Sequence, residues 1–239
     1  MDQVTERIEL GDVPQGDDLP LGQTPPGREF DSGSIRALTV LSPSTVEQIL
    51  SERVESGACR WDEVWDGVYV VMPDPNDLHQ EIVTYLIMVF SFAIKVAGLG
   101  EVRAGGNVSD REDDWTHNFR VPDVAVYLRE TAARNLGTHW LGGPDFVVEV
   151  ISPQDWSQKK REFYAKVGTR ELLYIDRAPW SLELLRLQEG ELVSVGISTP
   201  ERPEPIASAI LPLTFRLVAG EERPRIEVVH SDGVQRWTI

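Results

Sequence analysis

The stretch PDFVVEVISPQDWSQKKREFY, residues 144–164, decides the fold. Phe146 to Ile151 is a short run of β-branched and aromatic residues, the composition of a buried strand. Glu149 interrupts it. Successive strand side chains point to opposite faces, so Phe146, Val148 and Val150 face one way and Val147, Glu149 and Ile151 the other. A carboxylate taken out of water is costly unless it is neutralised, paired or bound to a metal. Either Glu149 lies on an exposed face, or something inside the molecule compensates it.

The residues that follow point to the second reading. Ser152, Pro153 and Asp155 make an S-x-x-D helix start, with proline in the first turn and an acid near the positive helix end. A helix is expected from Pro153 to Val167, ending at Gly168. At roughly 100° per residue, Trp156, Phe163, Tyr164 and Val167 share one apolar stripe, and Lys160 falls within it. Lys159 and Arg161 fall to its flanks. Lys160 is therefore predicted to point toward the sheet that carries Glu149, and Lys159 toward solvent. The alternative is a lysine that lays its stem on apolar surface and keeps its amine in water.

Asp123 is the second acid of interest. In RVPDVAVYL it follows Pro122 and opens another core strand. Pro-Asp alone is a common turn pair. An acid opening one core strand, with another inside a neighbouring strand, is more specific. Two carboxylates on adjacent strands, open to solvent at one end, suit Mg²⁺, which takes one or two carboxylates, keeps waters and completes its shell with phosphate.

Working outward, residues 1–35 are acidic and proline-rich and are expected to form a disordered tail. LSPSTVEQILSERVESG reads as a helix capped by Ser42 or Ser44, with Val46, Ile49, Leu50 and Val54 as its apolar stripe and Gly57 as its stop. RWDEVWDGVYVVMP reads as a hairpin through Asp66-Gly67. The apolar run from Ile82 to Ile94 is too short to span a bilayer and reads as a central helix buried almost all round. A strand around 101–104 precedes a polar acidic loop, GGNVSDREDDWTHNFR. That loop resembles a calcium loop only superficially, lacking the glycine at its sixth position and the terminal glutamate. ELLYIDR is a further strand, and hairpins are expected through Glu189-Gly190 and Asp232-Gly233. The order of elements is α/β or α+β with a mixed sheet. The tryptophans are expected in the core or at an interface.

The composition, 41% hydrophobic and 26% charged over 239 residues, supports one large domain with a substantial core. A single cysteine, Cys59, excludes an internal disulfide framework and cysteine-rich metal sites. It fits a reducing, cytoplasmic setting, as does an N-terminal stretch without the basic start and apolar segment of a signal peptide. Net charge is −16, which argues against non-specific binding to nucleic acid. No phosphate-cradling glycine loop, nucleophile elbow or zinc motif is present.

The ordered set WDEVWDG, His79, RVPDVAVY, PDFVVEVISP, Lys160 with Tyr164, and VGTRELLYIDR resembles the Uma-two family of the PD-(D/E)xK nuclease superfamily, over roughly residues 40–215. The resemblance implies an α/β fold: a restriction-endonuclease-like core with a mixed central sheet flanked by helices, here with extra C-terminal β-hairpins over about 216–239. Residues 36–239 would then form one nuclease-like domain. It implies Mg²⁺-dependent hydrolysis of DNA phosphodiester bonds, with Mn²⁺ able to substitute. Asp123 and Glu149, with the Val150 carbonyl, would hold the metal. Lys160 would steady developing negative charge or orient a water, and Glu63 would bind a second metal or position the first. His79 matches a histidine at the start of the long helix; Tyr164, Asp155 and Asp176 also match family positions. One departure stands out. The superfamily lysine lies two residues after the acid, where this chain has Ile151, so Lys160 on the following helix is the match. The resemblance also implies DNA as partner, no membrane, and a homodimer. The competing readings are a catalytically inactive nuclease-fold binding protein and a metal-dependent phosphodiesterase acting on a non-duplex substrate.

Overall fold

The computed structural model describes residues 43–151 and 157–239. The expected tail, Ser42, and the Ser152, Pro153, Asp155 and Trp156 positions lie outside the described residues. Helix α1 (Pro43–Ser56) ends where Gly57 takes a left-handed φ of 74°, a conformation glycine adopts without a Cβ penalty. Its stripe is only partly covered, since Ile49 and Leu50 are half-buried and Val54 is exposed. What anchors α1 is polar. Arg53 donates twice to Asp62, at 2.6 and 2.7 Å, and Asp62 also accepts from the Tyr69 hydroxyl and the Met72 N–H.

The hairpin forms as expected. Strands β1 (Glu63–Trp65) and β2 (Val68–Val70) flank Asp66 and Gly67, whose φ values of 48° and 86° are those of a type I′ turn. Helix α2 (Asp77–Phe90) starts at the Asn76 cap, whose side chain accepts from the His79 N–H, and continues through a wide π turn over Ser91–Val96. The whole stretch Asp77–Val96 has the length and hydropathy of a membrane span, but its face bearing Ile82, Leu86, Val89, Phe90, Ala93 and Ile94 is packed in the core. The helix is not buried all round: Tyr85, Met88, Phe92 and Val96 are exposed on its opposite side. An apolar composition on every face hid this, because only tertiary packing decides which face is covered.

Strands β3 (Gly100–Ala104), β4 (Val124–Leu128), β5 (Phe146–Ile151), β6 (Glu171–Arg177), β7 (Trp180–Gln188) and β8 (Glu191–Ser198) form the central sheet, in the order β8-β7-β6-β5-β4-β3. Only β5 and β6 run parallel; their neighbours pair antiparallel. A parallel pair needs a crossover connection, and this one carries a 3₁₀ turn, Ser157–Lys160, and helix α3 (Arg161–Lys166). The described helix is thus shorter than Pro153–Val167, although it stops at Gly168 as read.

The segment expected as an acidic loop is partly ordered into strands. Phe119–Arg120 pairs with β1, and Val108–Ser109 pairs with both Phe119–Arg120 and Trp140–Leu141, building a second, smaller sheet. Apolar anchors explain the departure: Trp115 stacks on His139 and meets Phe119 edge-on. A third, antiparallel sheet follows, made of Ile206–Ala207, β9 (Leu213–Val218), β10 (Arg225–His230) and β11 (Arg236–Thr238).

The alternation predicted for β5 is what divides the core. Phe146, Val148 and Val150 pack with α2 and the third sheet, around Phe90, Phe146 and Phe215. Val147 packs on the other face with Phe163 and Tyr164 of α3. Phe90 joins helix, central sheet and third sheet at one point, so Phe90→Ala is expected to cost about 3–5 kcal/mol of stability, read as a lowered urea midpoint at unchanged slope.

Candidate active site

Glu149 sits at the centre of β5 on the face that meets α3, and it is buried. Compensation comes from two sides. Lys160 Nζ lies 3.3 and 3.1 Å from its two carboxylate oxygens, and the Tyr164 hydroxyl donates at 2.5 Å. Lys160 and Tyr164 are one turn apart, so a single helical face delivers both groups. Lys160 is buried and turned inward as the stripe predicts, while Lys159 is exposed.

Lys160 does not serve Glu149 alone. Glu63, wholly buried at the start of β1, approaches Nζ at 2.9 Å. Its oxygens also accept from the Val121 N–H at 2.8 Å and from the Trp65 indole N–H at 2.7 Å. Trp65 is held in turn. The Arg120 guanidinium lies 4.6 Å from its ring centroid and 4.3 Å from that of Phe163, and it donates to the Val64 carbonyl and Asn118. The positions of Trp65 and Arg120 in this shell were missed in sequence. Trp65 is two residues from Glu63 on the same strand face, which was the available signal; Arg120 offered none, because its placement depends on a non-local strand pairing.

Asp123 stands at the rim, its side chain 17% exposed. One carboxylate oxygen meets His79 Nε2 at 2.9 Å, and the other accepts from the Val150 N–H at 2.7 Å. Pairing of β4 with β5 begins at Val124 opposite Val148, so Asp123 falls beside the stretch of β5 that β4 no longer covers. In a strand the N–H and C=O of one residue point to the same side. The Val150 carbonyl therefore faces the same edge as Asp123. His79 Nδ1 is buried with no hydrogen-bond partner among the described residues. Asn76, which caps His79, also accepts from Arg177 on β6 at 2.8 Å, tying the start of α2 to the central sheet.

The structure thus brings the predicted residues together in two joined groups. Glu63, Glu149, Lys160 and Tyr164 form a closed interior cluster; Asp123 and His79 form a pair at its edge, linked through Val150. Among the described residues, no three His, Cys, Asp or Glu side chains gather as a ready metal cluster. What is available is two carboxylates and a backbone carbonyl, all hard oxygens, of the kind that binds a cation able to retain waters. Each carboxylate offers about four acceptor positions, so the present hydrogen bonds do not use up either one.

Burial, reinforced by the charges of Asp123 and Glu63, pushes the Glu149 carboxyl up to about 8, against the pull of Lys160 and the Tyr164 hydrogen bond. Burial acts in the opposite sense on Lys160, but the surrounding carboxylates outweigh it and hold the amine charged. Burial and Glu149 together raise the Tyr164 hydroxyl well above its ordinary value, so it remains a donor.

A mixed central sheet with an acid inside one strand, a second acid opening the next and a lysine supplied by a helix defines a restriction-endonuclease-like protein. The family model described as "Putative restriction endonuclease" matches residues 51–219, most of the chain, and the chain belongs to that family, Uma2. Among solved structures it is similar to a crystal structure described as a "putative nuclease belonging to DUF820" from Anabaena variabilis ATCC 29413. The two share 20% identity over 61% of this chain and 81% of that one, with a TM-score of 0.49. No curated protein matches.

The raised Glu149 pKa carries a definite sign. Below the ordinary carboxylate range, folded and unfolded chains both hold the proton. Between that range and about 8 the folded chain keeps a proton that the unfolded chain has lost, so this contribution to stability drains away as pH rises. Relative to Glu149→Gln, the native chain should lose up to about 1.4 kcal/mol per pH unit over that window and then level off. Urea unfolding of both proteins from pH 4.5 to 9 measures it; parallel curves would refute a raised pKa.

Proposed function

We propose that this chain is a Mg²⁺-dependent endonuclease that hydrolyses DNA phosphodiester bonds. Membership of the Uma2 family supports the nuclease class. The observation that carries the finer reading is the convergence of Glu63, Glu149 and Lys160 from three separate elements, with Asp123 at the solvent edge of the same cluster. A fold needs no such concentration of buried charge; a hydrophobic set of similar volume would stabilise it as well or better.

In this reading Asp123, Glu149 and the Val150 carbonyl would hold the metal. Once bound, the ion would polarise the scissile phosphate and lower the pKa of a coordinated water. The rest belongs to the chain. His79 fixes one Asp123 oxygen and the Val150 N–H the other, so the carboxylate enters with its orientation set. Tyr164 and Trp65 hold Glu149 and Glu63 from opposite sides. Lys160 supplies a fixed positive charge beside the acids, placed to steady negative charge as it builds on phosphate. Such preorganised charge is worth most where water is excluded.

One observation favours a second reading. A net charge of −16 works against long-range attraction of duplex DNA, whose affinity rests largely on phosphate neutralisation. A metal-dependent phosphodiesterase acting on single strands or another phosphodiester uses the same residues and needs fewer phosphate contacts. A cytoplasmic setting belongs to either reading and is supported by the lone Cys59.

Cleavage assays on duplex DNA, single-stranded DNA and RNA, with Mg²⁺, Mn²⁺ or chelator, distinguish the substrates. Hydrolysis should require the metal and fall at least about 1000-fold in Asp123→Ala, beyond the roughly 10–100-fold expected when a residue that merely supports a ligand is lost. Hydrolysis that survives chelation, or an Asp123→Ala protein of native activity, would sink the proposal.

A further inference from the structure

Helix α2 carries on its outer side an apolar stripe that nothing among the described residues covers. Tyr85, Met88, Phe92 and Val96, with Leu99 just past the helix end, are 43–75% exposed. At roughly 100° per residue the four helical positions fall within about 80° of one another, so they form a single seam. The seam is uncharged. Lys95 beside it is engaged with Glu101 at 3.3 Å, and Thr84 and Ser91 are neutral. Val234, at the turn between β10 and β11, is also exposed, and it lines with Phe92 and Trp237 a recess of 380 Å³ that extends the apolar surface sideways.

The spacing of the stripe identifies its occupant. Counted from Phe92, the other four residues lie seven and four positions before it and four and seven positions after it. A stripe that reads the same in both directions is what a two-fold axis demands: residue i meets j while j meets i. With the axis through Phe92 and the helices antiparallel, Phe92 meets its own copy. Met88 meets Val96 of the partner, and Tyr85 meets Leu99. We propose that α2 is the dimer interface of this protein, and that its occupant is a second copy of the chain.

Two further features agree. A chain of charge −16 can approach another copy most closely where acidic groups are absent, and the seam contains none. The patch, extended by Val234 and the recess, exceeds the few hundred Å² that monomers ordinarily expose and approaches the roughly 800 Å² per partner that stable dimers bury. A nucleic acid would require cations here, and the single lysine is already paired. The inference rests on exposure and spacing alone and is independent of the nuclease reading.

Sedimentation velocity of the full chain between 1 and 100 µM tests it. The native protein should run as a dimer. Phe92→Glu, which sets two like charges face to face at the axis, should raise the dissociation constant by about 100-fold or more. Because Phe92 is exposed, the circular dichroism and urea midpoint of the separated variant should stay near native. Cysteine cross-linking in a Cys59→Ser background reads the register. Phe92→Cys should form a disulfide-linked dimer by itself, whereas Tyr85→Cys and Leu99→Cys should link only when the two proteins are mixed. A monomer at 100 µM overturns the proposal, as does a dimer that Phe92→Glu leaves intact. Self-linking of Tyr85→Cys overturns the antiparallel register. A monomer that binds neutral phosphatidylcholine vesicles through the same residues overturns it in favour of a lipid surface.

Discussion

One buried ammonium group makes the rest of the site possible. Glu63 and Glu149 come from different sheets and are both removed from water. Side by side and unpaired, they would repel each other in a medium that screens poorly, each with its own desolvation cost. The Lys160 amine lies between them, at 2.9 and 3.1 Å. It therefore does more than neutralise charge. It joins the small sheet at β1 to the central sheet at β5, and it requires α3 to lie where its stem can reach both. Removing one partner of such a set leaves an uncompensated charge in the interior, which costs far more than the pair contributes.

The division of labour along β5 follows from the two-residue period of a strand. Its even-numbered residues are core, pressed against α2 and the third sheet. Its odd-numbered face holds Val147 and Glu149 against α3. Because the apolar face is closed by ring contacts among Phe90, Phe146 and Phe215, β5 has no freedom to slip in register. A slip of one residue would turn Glu149 into that aromatic layer. Precision on the polar face is thus inherited from packing on the apolar one.

Supports for the acids come from neighbours bound for other reasons. Asp62 gathers Arg53, Tyr69 and the Met72 N–H and so pins the hairpin just before Glu63. The Asn76 cap starts α2 and sets His79 against Asp123. Arg120, stacked between Trp65 and Phe163, closes the outer side of the cluster with a cation that burial makes slightly easier to deprotonate and Glu63 helps to keep charged. Every acid of the site is therefore oriented before any ligand arrives, which is how a site avoids reorganising at the moment of reaction.

Local rules, acting over a few residues, were legible in the sequence. The alternation of β5, the Asp66-Gly67 and Glu189-Gly190 turns, the stop at Gly168 and the inward aim of Lys160 all depend on periodicity or on a backbone conformation that particular residues favour. What depended on non-local pairing was not legible. That Phe119–Arg120 would close on β1, that Trp65 and Arg120 would complete the shell around Glu63, and which side of an apolar helix would remain open could not be read from neighbours along the chain. Sequence by itself determined which groups cannot be left in water or out of it. Only the tertiary structure decided which partner satisfies each, because the partners lie tens of residues apart and meet only once the sheets have formed.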